Sequence, residues 1–129
     1  MSLNERERTA VRIWLMDRLA TSLDDLVQRG GRYPCECTDG FRASIIAHWG
    51  AYCLPRPDLP TGGGFVGDAP WDFNGPYAAI EVGFPSHRPE PWDQWQEFAE
   101  SPDDPTGTVY ARVPVEMVAA LLESHGGEL

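Results

Sequence analysis

Proline and glycine limit this chain to short secondary-structure elements. Twelve Pro and thirteen Gly occur in 129 residues, and ten of the twenty-two positions from Pro55 to Pro76 are one or the other. Proline lacks a backbone donor and glycine favours tight turns, so neither continues a long helix or strand. The sequence therefore predicts a loop-rich domain in which residues 55–76, with Gly62-Gly63-Gly64, form one long loop.

The N-terminal residues carry a helical pattern. Asn4-Glu5-Arg6-Glu7 has the residues of a capping box, and apolar side chains then recur at steps of four and three. These are Val11, Leu15, Leu19, Leu23 and Leu26, flanked by Trp14 and Val27. Ser22-Leu23-Asp24-Asp25 looks like a second helix start, so we expect a break or kink there. Gly30-Gly31 then ends the helix.

A second helix is predicted after a short connection at residues 33–39. Thr38 or Asp39 can cap this helix, and Pro55 and Pro57 stop it. Its apolar residues repeat at i, i+4 and i+3. They are Phe41, Ile45, Trp49 and Tyr52.

The second part of the chain alternates strand and helix patterns. Tyr77–Phe84 has apolar residues at every second position, as in a half-buried strand, and so does Thr108–Val113. Pro91 and Pro114 each start a helix, and Gly126-Gly127 closes the last one. The sequence thus predicts strand, helix, strand, helix.

Together these patterns predict a small single α+β domain spanning residues 1–129. It has two N-terminal helices, followed by the strand–helix–strand–helix unit with a small antiparallel sheet. Residues 1–54 form a helical, charge-neutral part, residues 55–76 the loop and residues 77–129 an acidic α/β part. Two strands make a marginal sheet, so we expect a third strand from the loop or from a partner chain.

Charge is distributed unevenly along the chain. Residues 1–67 carry eight Arg and eight acids, whereas residues 68–129 carry twelve acids and only Arg88 and Arg112, so the whole net charge of −10 lies in the second half. A surface of one sign repels nucleic acid and anionic membranes and attracts basic proteins. The chain also lacks an apolar run of about 18 residues and any signal-peptide pattern, so we expect a cytoplasmic protein.

Aromatic side chains interleave with these acids, most densely at residues 90–104. An aromatic anchor rimmed by carboxylates suits a basic protein surface. The predicted partner-binding residues are Trp92, Asp93, Glu97, Glu100, Asp103 and Asp104. We therefore expect a non-enzymatic acidic binding protein, an inhibitor or adaptor that engages a nucleic-acid-handling protein with carboxylates in place of phosphates. A bacterial or phage accessory protein fits this description, and the alternative is an acidic face that only keeps the protein soluble.

All three cysteines lie close together in sequence, beside a histidine. Cys35-Glu36-Cys37 is followed by His48 and Cys53, and three thiolates with one imidazole are a common structural zinc set. The C-x-C spacing is tighter than usual, and His48 and Cys53 are turned away from each other on the predicted helix. A zinc-stabilised interaction module is therefore an alternative function. Buried, metal-free thiols are the simpler interpretation.

A calcium loop is a weaker hypothesis. Asp72-Phe73-Asn74-Gly75 and Glu81 match several positions of an EF-hand loop. Pro70 would occupy the first position and supplies no side-chain oxygen, so a turn is the simpler interpretation.

A small enzyme of unknown class is the remaining alternative. It would use the Gly-rich loop, or His87 paired with Glu90, yet no nucleophile is tied to His87 by spacing. His125, near the end of the last helix, is expected to interact with the helix dipole. The sequence does not specify the partner or the oligomeric state.

Overall fold

The computed structural model describes residues 4–7, 9, 18–48, 50–57, 67–70, 73 and 75–129. In these residues a four-stranded antiparallel sheet is combined with helices, which confirms the α+β class. The elements in chain order are α1 (Leu23–Arg29), β1 (Gly31–Glu36), β2 (Arg42–Ala47), β3 (Ala79–Gly83), α2 (Trp92–Trp95), a 3₁₀ turn (Gln96–Phe98), β4 (Val109–Pro114) and α3 (Val115–Ser124).

The sheet joins the two parts of the chain in the order β1-β2-β3-β4. Cys35 of β1 lies opposite Ala43 of β2, and Ile45 of β2 lies opposite Val82 of β3. The third and fourth strands of the sheet therefore come from residues 31–47, and neither the predicted loop nor a partner chain is needed to supply them.

One face of the sheet is packed against the helices. Alternate side chains of β1 and β2 are buried, as period-2 geometry requires. Helix α1 contributes its buried leucines and Val27, and α3 contributes Val118, Leu121 and Leu122. The side chains with no exposed surface are Leu26, Phe41, Ile45, Ala47, Cys53, Ile80, Val82, Tyr110, Val113 and Val118.

Strand β2 replaces the predicted second helix, so the prediction that residues 1–54 are helical is wrong for residues 31–47. Phe41 and Ile45 are four residues apart, and this spacing equals one helical turn and also two strand repeats. The β-branched pair Ile45-Ile46 favours the strand. Thr38 and Asp39, the predicted caps, lie in the turn between β1 and β2 instead, and Trp49 lies outside the described residues.

The predicted capping box is confirmed at the N-terminus. The Asn4 N–H donates to Glu7 Oε2 at 3.1 Å, and the Glu7 N–H donates to Asn4 Oδ1 at 2.8 Å. Residues 5–7 and 9 are helical. The positions that would continue this helix, Val11, Trp14 and Leu15, lie outside the described residues.

The predicted break near Ser22 is also confirmed. Ser22 Oγ accepts the Asp25 N–H at 3.0 Å, so α1 begins here with its own cap. Leu19 does not belong to a core stripe, because it is 58% exposed and its backbone bridges to Arg32 of β1. A non-helical segment therefore precedes α1.

Both edges of the sheet are covered. At the β1 edge, Arg32 exchanges backbone hydrogen bonds with Arg18 and Ala20, Pro34 has no N–H, and the Leu129 N–H donates to the Glu36 carbonyl. At the β4 edge, the Glu100 N–H donates to the Val109 carbonyl. A partner must therefore contact the described surface mainly through side chains.

Candidate functional site

The densest acidic stretch, residues 90–104, is held against the sheet by one buried indole. Trp95 is 2% exposed, and its ring meets the edge of Tyr110 on β4 at 5.7 Å between centroids. Because α2 turns Trp95 inward, Asp93 and Glu97 remain exposed on the outer side. We call residues 90–104 the acidic segment.

The second half of the acidic segment is fixed by hydrogen bonds to β4 and to the residues that lead into it. The Ser101 N–H donates to Thr108 Oγ1 at 2.9 Å, and the Tyr110 hydroxyl donates to the Pro105 carbonyl at 2.6 Å. Burial raises the pKa of Tyr110 to about 12, so this hydroxyl keeps its proton at neutral pH. The turn that carries Asp103 and Asp104 is therefore attached to the core.

Five carboxylates of the acidic segment have no basic partner among the described residues. They are Asp93, Glu97, Glu100, Asp103 and Asp104, and all are exposed. Glu90 differs, because Arg88 donates to its carboxylate and lowers its pKa. Glu100 lies close enough to half-buried Glu81 to help burial raise the pKa of Glu81.

Trp92 is only partly available to a partner. Its ring packs edge-on against Tyr110 at 6.4 Å, and the Arg88 guanidinium lies 5.4 Å from the ring centroid. The structure therefore brings the predicted carboxylates and Trp92 into one segment, but the indole is half-buried rather than a free anchor.

The predicted zinc ligands lie at two ends of the β1–β2 hairpin. Cys35 and Cys37 are buried near the turn, where Cys37 Sγ lies 3.8 Å from the Leu122 carbonyl. His48 follows the far end of β2, and Cys53 Sγ lies 3.4 Å from the His48 carbonyl. The described residues contain no group of three or more His, Cys, Asp or Glu that could hold a metal.

The environment of these groups opposes ionisation. Burial, with Cys37 as neighbour, raises the pKa of Cys35 to about 12, and burial raises that of Cys53 to about 11. The pKa of Cys37 is raised by burial as well. Zinc binds thiolates, so metal binding would have to displace these protons. The zinc module stays a prediction.

The calcium hypothesis and the Gly-rich loop fall mainly outside the described residues. Asp72, Asn74 and Gly62-Gly63-Gly64 are not among those described. Glu81 belongs to β3, where its Oε1 accepts the Tyr52 N–H at 3.2 Å. The last predicted calcium ligand is thus committed to a backbone hydrogen bond.

His87 and Glu90 do not form the predicted acid–base couple. Glu90 accepts hydrogen bonds from Arg88 and from the Trp92 N–H, whereas His87 Nδ1 lies 3.0 Å from Ser86 Oγ. The nearest hydroxyl to His87 is therefore its own neighbour in sequence.

A histidine cluster that sequence reasoning missed lies at the β1–β2 turn. His125 stacks on buried Phe41 at 4.1 Å, its Nδ1 lies 2.7 Å from Asp39 Oδ2, and the His87 ring is 6.4 Å from that of His125. His125 follows α3, near the helix C-terminus as predicted. No local pattern announces the cluster, because its members come from three distant stretches of the chain.

No protein-family model matches the chain, and no curated protein or solved structure matches it either. Among the described residues, no helix has both the length and the apolar character needed to cross a bilayer. The functional argument therefore depends on the geometry of the acidic segment.

Proposed function

We propose that this chain is a non-enzymatic binding protein whose acidic segment engages a basic surface of another protein. The observation that carries the proposal is the set of five exposed carboxylates without a basic partner among the described residues. Carboxylates already paired within a chain would have little to offer a partner, whereas unpaired ones steer association and add charge complementarity.

The fixed backbone of the acidic segment supports the same proposal. Trp95 anchors one end, and the Tyr110 hydroxyl and Thr108 hold the other end. A binding surface that is ordered before contact loses less conformational entropy on association. The carboxylates therefore form a prepared surface rather than a flexible acidic tail.

An inhibitor or adaptor of a nucleic-acid-handling protein is the role we propose for this surface. Proteins that bind nucleic acid present Arg and Lys to the phosphates, and carboxylates on a rigid backbone can occupy the same groove. Nucleic acid should then compete with this chain for its partner.

The test uses charge neutralisation with a matched control. The test variant combines Asp93→Asn, Glu97→Gln, Glu100→Gln and Asp103→Asn. The control combines Glu5→Gln, Asp24→Asn, Glu116→Gln and Glu123→Gln, four exposed acids outside the segment. Both variants change the net charge equally, so a difference between them reports position rather than total charge.

Each protein is immobilised and exposed to an extract of the native host at low and high salt. We expect the wild type and the control to retain the same partner at low salt, to release it at high salt and to release it to added nucleic acid. The segment variant should bind it about tenfold or more weakly. Equal retention by both variants, or binding indifferent to salt, would refute the proposal.

A further inference from the structure

One exposed aromatic residue has an unusual backbone conformation. Phe84, directly after β3, has φ of 49° and is 61% exposed. Bulky residues rarely adopt positive φ, because the side chain then crowds its own backbone. Such strained positions concentrate at functional sites, and an exposed ring on a strained backbone is typical of a contact residue.

Phe84 borders a shallow depression on the sheet. The depression measures about 360 Å³. We call it the Phe84 face, and its lining residues are Pro34, Cys35, Glu36, Arg42, Ala43, Ser44, Gly83 and Phe84. A protruding ring and a hollow thus lie side by side on one surface.

The Phe84 face is electrically balanced, unlike the rest of the second half. Its two charged residues, Glu36 and Arg42, lie opposite each other on β1 and β2. Leu129 extends the apolar surface, because it is 78% exposed and its N–H donates to the Glu36 carbonyl. A neutral, partly apolar surface is where two copies of a chain with net charge −10 can meet with least repulsion.

We propose that the Phe84 face is a dimerisation surface and that its occupant is a second copy of this chain. In a two-fold contact the same surface serves both copies, so each Phe84 ring enters the depression of the other. Glu36 of one copy then faces Arg42 of its partner, and the reverse contact forms as well. The charges on this face are therefore complementary to themselves.

The surface is small and the strand edges are covered, so the dimer is weak. Stable interfaces bury about 800 Å² on each partner, and an interface near or below that size with one aromatic anchor is typical of micromolar association. Sedimentation equilibrium over a wide range of protein concentration measures the mass directly. We expect a shift from 14.3 kDa at low concentration towards twice that mass at high concentration.

Phe84→Gly is the decisive variant. Glycine tolerates positive φ, so this change removes the ring and eases the backbone, and a loss of dimer cannot be attributed to unfolding. Arg112→Gly is the matched control, because Arg112 is also exposed, has φ of 52° and lies on β4 outside the depression. We expect Phe84→Gly to stay monomeric at every concentration and Arg112→Gly to dimerise like the wild type.

A charge exchange gives a second test. Arg42→Glu should weaken the dimer, and the double variant Glu36→Arg with Arg42→Glu should restore it, because both facing pairs are re-formed. A monomeric wild type, a dimer that survives Phe84→Gly, or dimers lost equally in both glycine variants would overturn the proposal. The outcome is independent of the acidic segment, whose carboxylates are unchanged in all these variants.

Discussion

Asp39 and His125 form an ion pair across 86 positions of sequence, with Oδ2 2.7 Å from Nδ1. The contact fastens the residues after α3 to the β1–β2 turn, and the Thr38 N–H donates to the Gly127 carbonyl beside it. Two stretches that no local pattern relates are thereby held together next to buried Phe41.

Asp39 gives the first prediction, on acid stability. The hydrogen bond from the Phe41 N–H, and then His125, lower the pKa of Asp39 below its ordinary value of 3.8. A lowered carboxyl pKa stabilises the fold above the ordinary value and ceases to do so as the pH falls below it. Asp39→Asn should therefore lower the free energy of unfolding at neutral pH, and the deficit should shrink below pH 3.8.

Urea unfolding at a series of pH values measures this difference. Asp103→Asn, an exposed carboxylate with no partner among the described residues, serves as the control and should leave stability nearly unchanged. A deficit for Asp39→Asn that persists unchanged into strong acid would contradict the assignment.

The second prediction concerns Asp25 at the start of α1. Asp25 accepts the Thr21 N–H at 2.9 Å and pairs with Arg18 and Arg29, and these contacts lower its pKa to about 2 despite its desolvation. Asp25→Asn should cost about 1–2 kcal/mol at neutral pH, since hydrogen bonds to a charged acceptor are lost. The loss should diminish as the pH falls from 3.8 towards 2.

Thermal unfolding in low and high salt checks this assignment. The Asp25 side chain is only 10% exposed, so salt should reduce the effect only slightly. Asp24→Asn, its exposed neighbour, is the control. A variant as stable as the wild type at neutral pH would show that the contacts contribute nothing net.

The third prediction concerns the turn that carries Asp103 and Asp104. Tyr110→Phe removes the hydroxyl that donates to the Pro105 carbonyl and leaves the ring in place. We expect a cost of about 1 kcal/mol in unfolding free energy, with faster amide exchange in residues 100–108. Tyr52→Phe, at an exposed ring, should change neither measurement. If the acidic segment binds a partner, Tyr110→Phe should also weaken that binding.

Much of the fold follows from local sequence signals. The capping box at Asn4, the break at Ser22 and the order of the elements from β3 to α3 all depend on near neighbours, and the structure contains each of them. The β1–β2 hairpin was missed because the spacing of Phe41 and Ile45 suits a helix as well as a strand. Pairing in the sheet decides between them, and pairing is not local.

The candidate site was only partly predictable, for the same reason. Exposure of Asp93 and Glu97 follows from the inward turn of Trp95, which helical periodicity anticipates. The half-buried state of Trp92 depends on Tyr110, eighteen positions further along the chain, so periodicity cannot anticipate it. Phe84 gave no sequence signal, because a positive φ at a non-glycine residue depends on the tertiary structure.

The fourth prediction is a gain in stability at two positions. Phe84→Gly and Arg112→Gly each relieve a positive φ, and each should raise the unfolding free energy by up to about 1 kcal/mol after the entropic cost of glycine. Phe84→Ala keeps the strain and should give no such gain. Denaturant midpoints compared at low protein concentration, where any dimer has dissociated, decide the matter.

The fifth prediction concerns metal. Since the thiols are buried and protonated and lie at two ends of a hairpin, we expect protein purified without chelator to contain far less than one zinc per chain. Its melting temperature should not change with EDTA, and Cys37→Ser should leave the metal content as it was. Stoichiometric zinc that is lost in Cys37→Ser would establish the zinc module instead.

The covered edges of the sheet bear on how this protein ages in concentrated solution. Pro34 withholds a donor in the middle of β1, and the segments at Arg18–Ala20, Ala99–Glu100 and Glu128–Leu129 occupy neighbouring backbone groups. The folded chain therefore offers little template on which fibrils could grow. Conversion to fibrils would begin with local opening of one of these covering segments, so its rate would follow their fraying rather than global unfolding.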